Sequence, residues 1–177
     1  MLLERFDVED EPLFQHGERA VVPEESEALQ GLGLAQRTLL AAVQKCAPQK
    51  RATLDVDATL VESRKRSAAE AYDGTKGFQP VVALWAEQDL IVHDEFRAGN
   101  VPAGCGNLRI LERALEALPE GVKEIYLRAD TALYENEVLA FCEAQEGVGY
   151  AISAAQQALL CLLRTKIRSL QTALSGD

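Results

Sequence analysis

Asp55, Asp57 and Asp130 are the residues whose type and setting suggest chemistry. The first two lie two apart in the run Thr53-Leu54-Asp55-Val56-Asp57-Ala58-Thr59-Leu60-Val61, which alternates apolar and polar. Read as a strand, the run puts Leu54, Val56, Ala58 and Leu60 on one face and Asp55, Asp57 and Thr59 on the other. Two carboxylates side by side repel unless water, a cation or a metal compensates them. A solvated edge strand tolerates such a pair; a metal site uses it. Asp130 closes a second strand-like run, Glu124-Ile125-Tyr126-Leu127-Arg128-Ala129-Asp130. If the two strands are neighbours, Asp57 and Asp130 come together. Carboxylates are the hard oxygen ligands that Mg²⁺ takes. Two ions held this way grip the attacking and leaving oxygens of an in-line displacement at phosphorus. Asp55 and Glu62 are further acids within reach of such a site. Arg128 precedes Asp130 by two and shares its side of the strand, so it is placed to keep that carboxylate ionised without metal.

Around these acids, Arg64, Lys65, Arg66, Lys76 and Arg97 are the basic residues available for DNA phosphates. A solvated charged surface is the plainer account of each. Glu135, Glu137 and Glu143 follow Asp130 closely and read as helix-surface charges. His93 stands alone in a strand and makes a poor ligand. Trp85, Phe78 and Tyr126 read as core residues. Cys46, Cys105, Cys142 and Cys161 include no C-x-x-C spacing, which argues against a structural zinc. Isolated thiols point to a reducing cytoplasm.

The elements that must position the acids follow in order. Residues 1–25 are acidic, contain Pro12 and Pro23, and lack periodicity; they read as an extended arm. Pro23 and the acids after it start a helix that runs to about Cys46, with Leu29, Leu32, Leu39, Leu40 and Val43 on its apolar face. The aspartate strand comes next. A polar loop, with a helical turn expected around residues 68–72, fills 62–77. Residues 78–86 and 90–96 form a β-hairpin. A helix over 107–118, the strand ending at Asp130, a helix over 136–145 and a strand over 149–153 follow. A last helix is expected over 155–174, with Leu159, Leu163, Ile167, Leu170 and Leu174 on one face. A strand followed at once by an antiparallel hairpin, then alternating helices and strands, is an α/β mixed sheet flanked by helices.

The chain has 177 residues, 47% of them hydrophobic, which suits one globular domain. Its formal charge of −10 argues against DNA binding by the whole surface. Nine acids and two arginines fall within residues 1–30, so the remainder is close to balanced and leaves room for a local basic groove. The sequence offers no apolar run near the ~20 residues that cross a bilayer, so no membrane contact is expected.

Several blocks together resemble a bacterial insertion-sequence transposase of the DDE type. They are Leu54-Asp55-Val56-Asp57-Ala58-Thr59-Leu60-Val61-Glu62, then Gly77-Phe78-Gln79-Pro80, then Trp85-Ala86-Glu87-Gln88-Asp89-Leu90-Ile91-Val92. Two more are Glu95-Phe96-Arg97-Ala98-Gly99-Asn100-Val101-Pro102-Ala103-Gly104 and Leu127-Arg128-Ala129-Asp130-Thr131-Ala132. The resemblance covers roughly residues 21–153. It implies a ribonuclease H-like fold and cut-and-paste DNA transposition with Mg²⁺, for which Mn²⁺ substitutes. The partner implied is DNA at the transposon ends. Asp57 and Asp130 match the first two catalytic acids. The third acid implied is a Glu on a helix beyond the last strand, and residues 155–174 contain no Asp or Glu.

The chain therefore reads as a truncated transposase in three parts: an acidic arm and helix over 1–50, a partial catalytic core over 51–153, and a helix over 154–177 outside the resemblance. It is expected to be incomplete or inactive. The last helix's leucine face offers a route to self-association. One alternative is a non-catalytic remnant that binds DNA or a full-length transposase. Another is a haloacid-dehalogenase-like phosphatase, because Asp55-Val56-Asp57-Ala58-Thr59 also resembles that group's D-x-D-x-T motif. There Asp55 would be the nucleophile and Asp57 the general acid/base.

Overall fold

The computed structural model describes Ala20, Val22 and residues 25–154. The arm and the last helix expected from sequence lie largely or wholly outside these residues. The first helix, α1 (Glu27–Cys46), begins where Ser26 caps it: the Ser26 hydroxyl accepts the Leu29 N–H at 3.3 Å. Its apolar face is less buried than the leucine spacing suggests. Leu40 is 1% exposed, whereas Leu29, Leu32 and Leu39 are about half exposed. Only the C-terminal part of α1 sinks against the sheet. There Gln44 donates to Gln49 O at 2.7 Å and accepts Gln49 N–H at 2.9 Å, which closes the turn into the next strand.

That strand is β1 (Arg51–Ala58), the middle of a five-stranded sheet. Just beyond it the chain builds a separate small sheet from β2 (Val61–Glu62), β3 (Ala69–Glu70) and β4 (Lys76–Phe78). The helical turn expected around 68–72 is replaced by β3, which pairs with β4 through Ala69–Gly77 and Glu70–Lys76. The expected hairpin is present as β5 (Val81–Trp85) and β6 (Leu90–Glu95). Then come α2 (Asn107–Ala117), β7 (Glu124–Ala129), α3 (Asn136–Ala144) and β8 (Val148–Ile152).

The large sheet has the order β6-β5-β1-β7-β8. The β6–β5 and β5–β1 pairs are antiparallel; β1–β7 and β7–β8 are parallel. An antiparallel hairpin beside the first strand, with parallel strands on its other side, is the ribonuclease H-like arrangement. The core lies on one face of this sheet. Ala52, Leu54 and Val56 of β1 meet Val81, Ala83 and Trp85 of β5 and Leu127 of β7. Ile110, Leu111 and Ala114, spaced at helical intervals on α2, cover them. Trp85 is fully buried and donates its indole N–H to Arg51 O at 3.3 Å. Phe78 is buried as expected. Tyr126 is not: it is 43% exposed, because it alternates with Leu127 onto the face that carries the aspartates.

Candidate active site

The acids are placed by the parallel ladder between β1 and β7. Thr53 faces Tyr126, Asp55 faces Arg128 and Val56 faces Ala129. The paired register ends there; Asp57 and Asp130 each follow by one residue, Asp130 lying just beyond the end of β7. Burial alternates along β1, with Leu54 and Val56 inside and Asp57 exposed. Asp55, Asp57, Arg128 and Asp130 line one shallow depression with Ala151 and Ser153 from the end of β8. The structure thus brings together the two acids expected to act jointly.

Each acid is held locally by the backbone. One oxygen of Asp57 accepts the Ala58 N–H at 2.9 Å. Asp130 leaves β7 in extended conformation and caps a short 3₁₀ turn, Thr131–Leu133. Its Oδ1 accepts the Ala132 N–H at 2.8 Å. The turn is anchored twice. Leu133 is buried at 2% exposure, and the Asn107 amide donates to Ala132 O at 2.8 Å. The second oxygen of each aspartate has no hydrogen-bond partner among the described residues, so each keeps an acceptor for a cation.

Arg128 takes a different partner from the one expected. It reaches across the ladder to Asp55, not along its own strand to Asp130. Nε and Nη2 donate to the two Asp55 oxygens, both at 2.5 Å. This bidentate bond raises the Arg128 pKa above its usual value. It also takes up both oxygens of Asp55, which is therefore a weaker candidate ligand than Asp57. Glu62 sits in the small sheet opposite Gly77. Among the described residues no group of three His, Cys, Asp or Glu side chains is arranged to hold a metal ion. Neither Asp55, Glu62, Glu135, Glu137 nor Glu143 completes a triad with Asp57 and Asp130. Glu143 instead accepts the Tyr150 hydroxyl at 3.0 Å.

Arg64, Lys65 and Arg66 lie exposed in the loop between β2 and β3, and Lys76 is exposed on β4. Arg97 is a correction to the sequence reading: it is 1% exposed and cannot meet DNA from there. The loop after β6 folds inward. Ala98 bridges back to Phe78, and Gly99 packs where an added Cβ would stand 2.7 Å from the carbonyls of Ala69 and Gly77. The guanidinium is drawn inside, where Nε donates to Glu95 Oε1 at 2.7 Å. Arg109 reaches the other Glu95 oxygen at 2.6 Å. Sequence reasoning missed this buried cluster, because an Arg next to Gly and Asn looks like a loop charge.

The donor set fits a single hard cation in part. Two open carboxylates on adjacent strands suit Mg²⁺, which commonly takes one or two carboxylates and completes its shell with water and phosphate oxygens. A second ion would require a further acid.

The model of the family described as "Transposase DDE domain group 1" matches residues 18–175. This reaches past the span of the resemblance read from the sequence, roughly 21–153, and takes in the last helix expected there. No curated protein matches. Among solved structures, the chain is similar to the catalytic domain of Mos1 mariner transposase, at 13% identity and a TM-score of 0.44. The match covers 89% of this chain and 76% of that one. It is also similar to piggyBac transposase in a synaptic complex with hairpin DNA, at 10% identity and a TM-score of 0.45, over 75% of this chain. A third is the Mos1 paired-end complex with Mn, at 15% identity and a TM-score of 0.42, over 87% of this chain. The chain spans only 31% of the piggyBac protein and 50% of the Mos1 chain in that complex. The family match covers most of the chain, which therefore belongs to the transposase DDE domain group 1 family.

Proposed function

We propose that Asp57 and Asp130 are the first two acids of a metal-dependent site for DNA strand cleavage and transfer. The substrate is DNA at transposon ends, in the cut-and-paste transposition of a bacterial insertion sequence. The observation that carries this reading is the shared depression: Asp57 at the end of β1 and Asp130 just past β7 both line it, each with one oxygen free of partners among the described residues. Bound there, Mg²⁺ or Mn²⁺ would polarise a phosphodiester oxygen and acidify the attacking water. The chain's own part is to hold the two carboxylates open and fixed. β1 does this from the centre of the sheet, and the Asn107–Ala132 bond does it for the Asp130 turn.

The site is incomplete among the described residues, so activity is expected to be weak. A specific observation therefore favours a second reading beside the first. With only two acids gathered among the described residues, the arrangement also fits a non-catalytic protein that keeps DNA or transposase binding. The phosphatase alternative is disfavoured: an antiparallel hairpin flanks β1, and Asp55, its required nucleophile, has both oxygens on Arg128.

The test is Mn²⁺ binding followed by titration, together with nicking of a supercoiled plasmid in Mn²⁺. Binding should fall at least tenfold in Asp57→Asn and Asp130→Asn, and any nicking should vanish in both. Mn²⁺ affinity equal in wild type and both variants would overturn the assignment. Binding without nicking would select the non-catalytic reading.

A further inference from the structure

Among the described residues lining the acid depression, Arg128 is the one cation. A DNA phosphate approaching Asp57 and Asp130 meets two negative charges, so the depression needs a positive group aimed outward. Arg128 is exposed, with its side chain at 57% relative accessibility. Asp55 engages it side-on, through Nε and Nη2. A guanidinium has five N–H donors in a fixed plane. The side-on bond uses two. The outer edge, both hydrogens of Nη1 and one of Nη2, is left without a partner among the described residues. That edge has the fork geometry that receives two phosphate oxygens. Its orientation is set by Asp55, itself fixed in the middle of β1 and about two-thirds buried.

We infer that Arg128 is a DNA-contact residue of this site, its outer guanidinium edge binding a backbone phosphate next to the one presented to Asp57 and Asp130. This rests on the DNA-directed reading above and adds to it a contact that the sequence did not single out. It also gives Asp55 a use that is neither metal ligand nor nucleophile.

An internal control exists on the same two strands. Arg51 faces Glu124 at the opposite end of the ladder and pairs with it at 3.0 Å. Its side chain is equally exposed, at 57%. The two arginines differ in position: Arg128 is at the acid end and Arg51 is away from it.

The experiment measures binding of the full chain to a fluorescent 30-base-pair mixed-sequence duplex in EDTA, by anisotropy, at several KCl concentrations. Each phosphate contact contributes about 0.9 to the slope of log affinity against log salt. Arg128→Ala should lower the slope by about 0.9, so that between 50 and 200 mM its affinity falls about 3.5-fold less than that of wild type. Arg128→Lys should restore the slope, because the charge returns, but bind more weakly than wild type. Arg51→Ala should leave the slope unchanged. Thermal midpoints, read alongside, identify a variant that fails to fold, in which case Arg128→Lys and Arg128→Gln carry the comparison. A slope unchanged in Arg128→Ala while the duplex is still bound would overturn the inference alone. So would equal slope changes in Arg128→Ala and Arg51→Ala, which would report net charge and not a contact. Failure of wild type to bind the duplex at 50 mM would overturn both this inference and the DNA-directed reading.

Discussion

Replacing Glu95 with Gln should unfold this protein more readily than replacing either of the arginines bound to it. Glu95 is 7% exposed and Arg97 only 1%. Glu95 accepts from Arg97 Nε at 2.7 Å and from Arg109 Nη2 at 2.6 Å. In Glu95→Gln the Arg97 charge stays in the interior with no counter-charge in contact. Removing one member of a buried ion pair costs about 3–5 kcal/mol, because the other is stranded. In Arg97→Met the situation differs. Glu95 still has Arg109, whose side chain is 44% exposed and partly solvated. The loss is then one charge-assisted hydrogen bond, about 1.5–3 kcal/mol, with the aliphatic volume largely replaced. A domain of this size is stable by about 5–15 kcal/mol, so the first change is severe and the second tolerable.

Trp85, the one tryptophan of the chain, reports the transition, because it is fully buried. With a urea dependence near 2 kcal/mol per molar, Glu95→Gln should move the midpoint down by about 1.5–2.5 M. Arg97→Met should move it by about half as much. A Glu95→Gln midpoint within 0.5 M of wild type, roughly 1 kcal/mol on the same scale, would refute the reasoning. An Arg97→Met midpoint below that of Glu95→Gln would also refute it.

Thiol reactivity should split the described cysteines: Cys46 and Cys105 are exposed, whereas burial pushes the Cys142 thiol pKa up. At pH 8 a disulfide reagent followed by peptide mass analysis should find Cys46 and Cys105 modified within minutes and Cys142 only after urea; equal rates would contradict the packing of α3. Burial, with the Arg113 charge adding to it, lowers the His93 pKa. The unfolded chain then binds a proton that the folded chain resists, so this stability is present above about pH 6.5 and is lost as the pH falls toward the lowered value. His93→Gln should flatten the fall in urea midpoint between pH 7.5 and 5.5, and an unchanged slope would sink the assignment. In EDTA, Asp57→Asn should raise stability by a fraction of a kcal/mol, since it removes one of two like charges lining the same depression. Millimolar Mn²⁺ should erase or reverse that gain, and a wild type more stable than the variant in EDTA would count against the shared depression.

What the sequence discloses here depends on whether the signal is periodic. The alternation in residues 53–61 and the leucine spacing in 108–118 are local. They place α2 to within a residue; β1 starts two residues before the alternating run and ends three before its end, where Val61 passes to the small sheet. The element order allows β1 and β7 to be neighbours but does not require it; the strand order β6-β5-β1-β7-β8 supplies that step. β6 is harder. Its register shifts between Ala83 and Leu84, so that His93 and Glu95 pair opposite Ala83 and Val81 on the core face. Simple alternation from Leu90 and Val92 would have sent Asp94 inward. The bulge carries Glu95 inside, and Arg97 follows to neutralise it. Because a bulge leaves no periodic trace, Arg97 reads as a surface charge in the sequence. Arg128 fails to read for another reason. Its spacing to Asp130 is visible along one strand, but its partner Asp55 lies across the ladder, 73 residues away in sequence.

The ladder itself supplies the strongest argument for the site. Two rungs of the open β1–β7 face carry charges on both strands, and two aspartates follow at its end. At Arg51–Glu124 and Asp55–Arg128 the charges are opposite and bonded. Just beyond the last paired residues, Asp57 and Asp130 are alike. Opposite pairs directly across a sheet stabilise it and like pairs destabilise it, each by a fraction of a kcal/mol. A solvated face with scattered charge would show no such order. Here the two compensated rungs show that the ladder accommodates a cation where its role is structural. The uncompensated pair of acids lies at the carboxyl ends of two parallel strands, the position from which open α/β sheets present side chains to ligands. It adjoins Arg128, whose outer edge has no partner among the described residues. A cation from solution completes the alternation at that end, and the guanidinium beside it lets a polyanion approach.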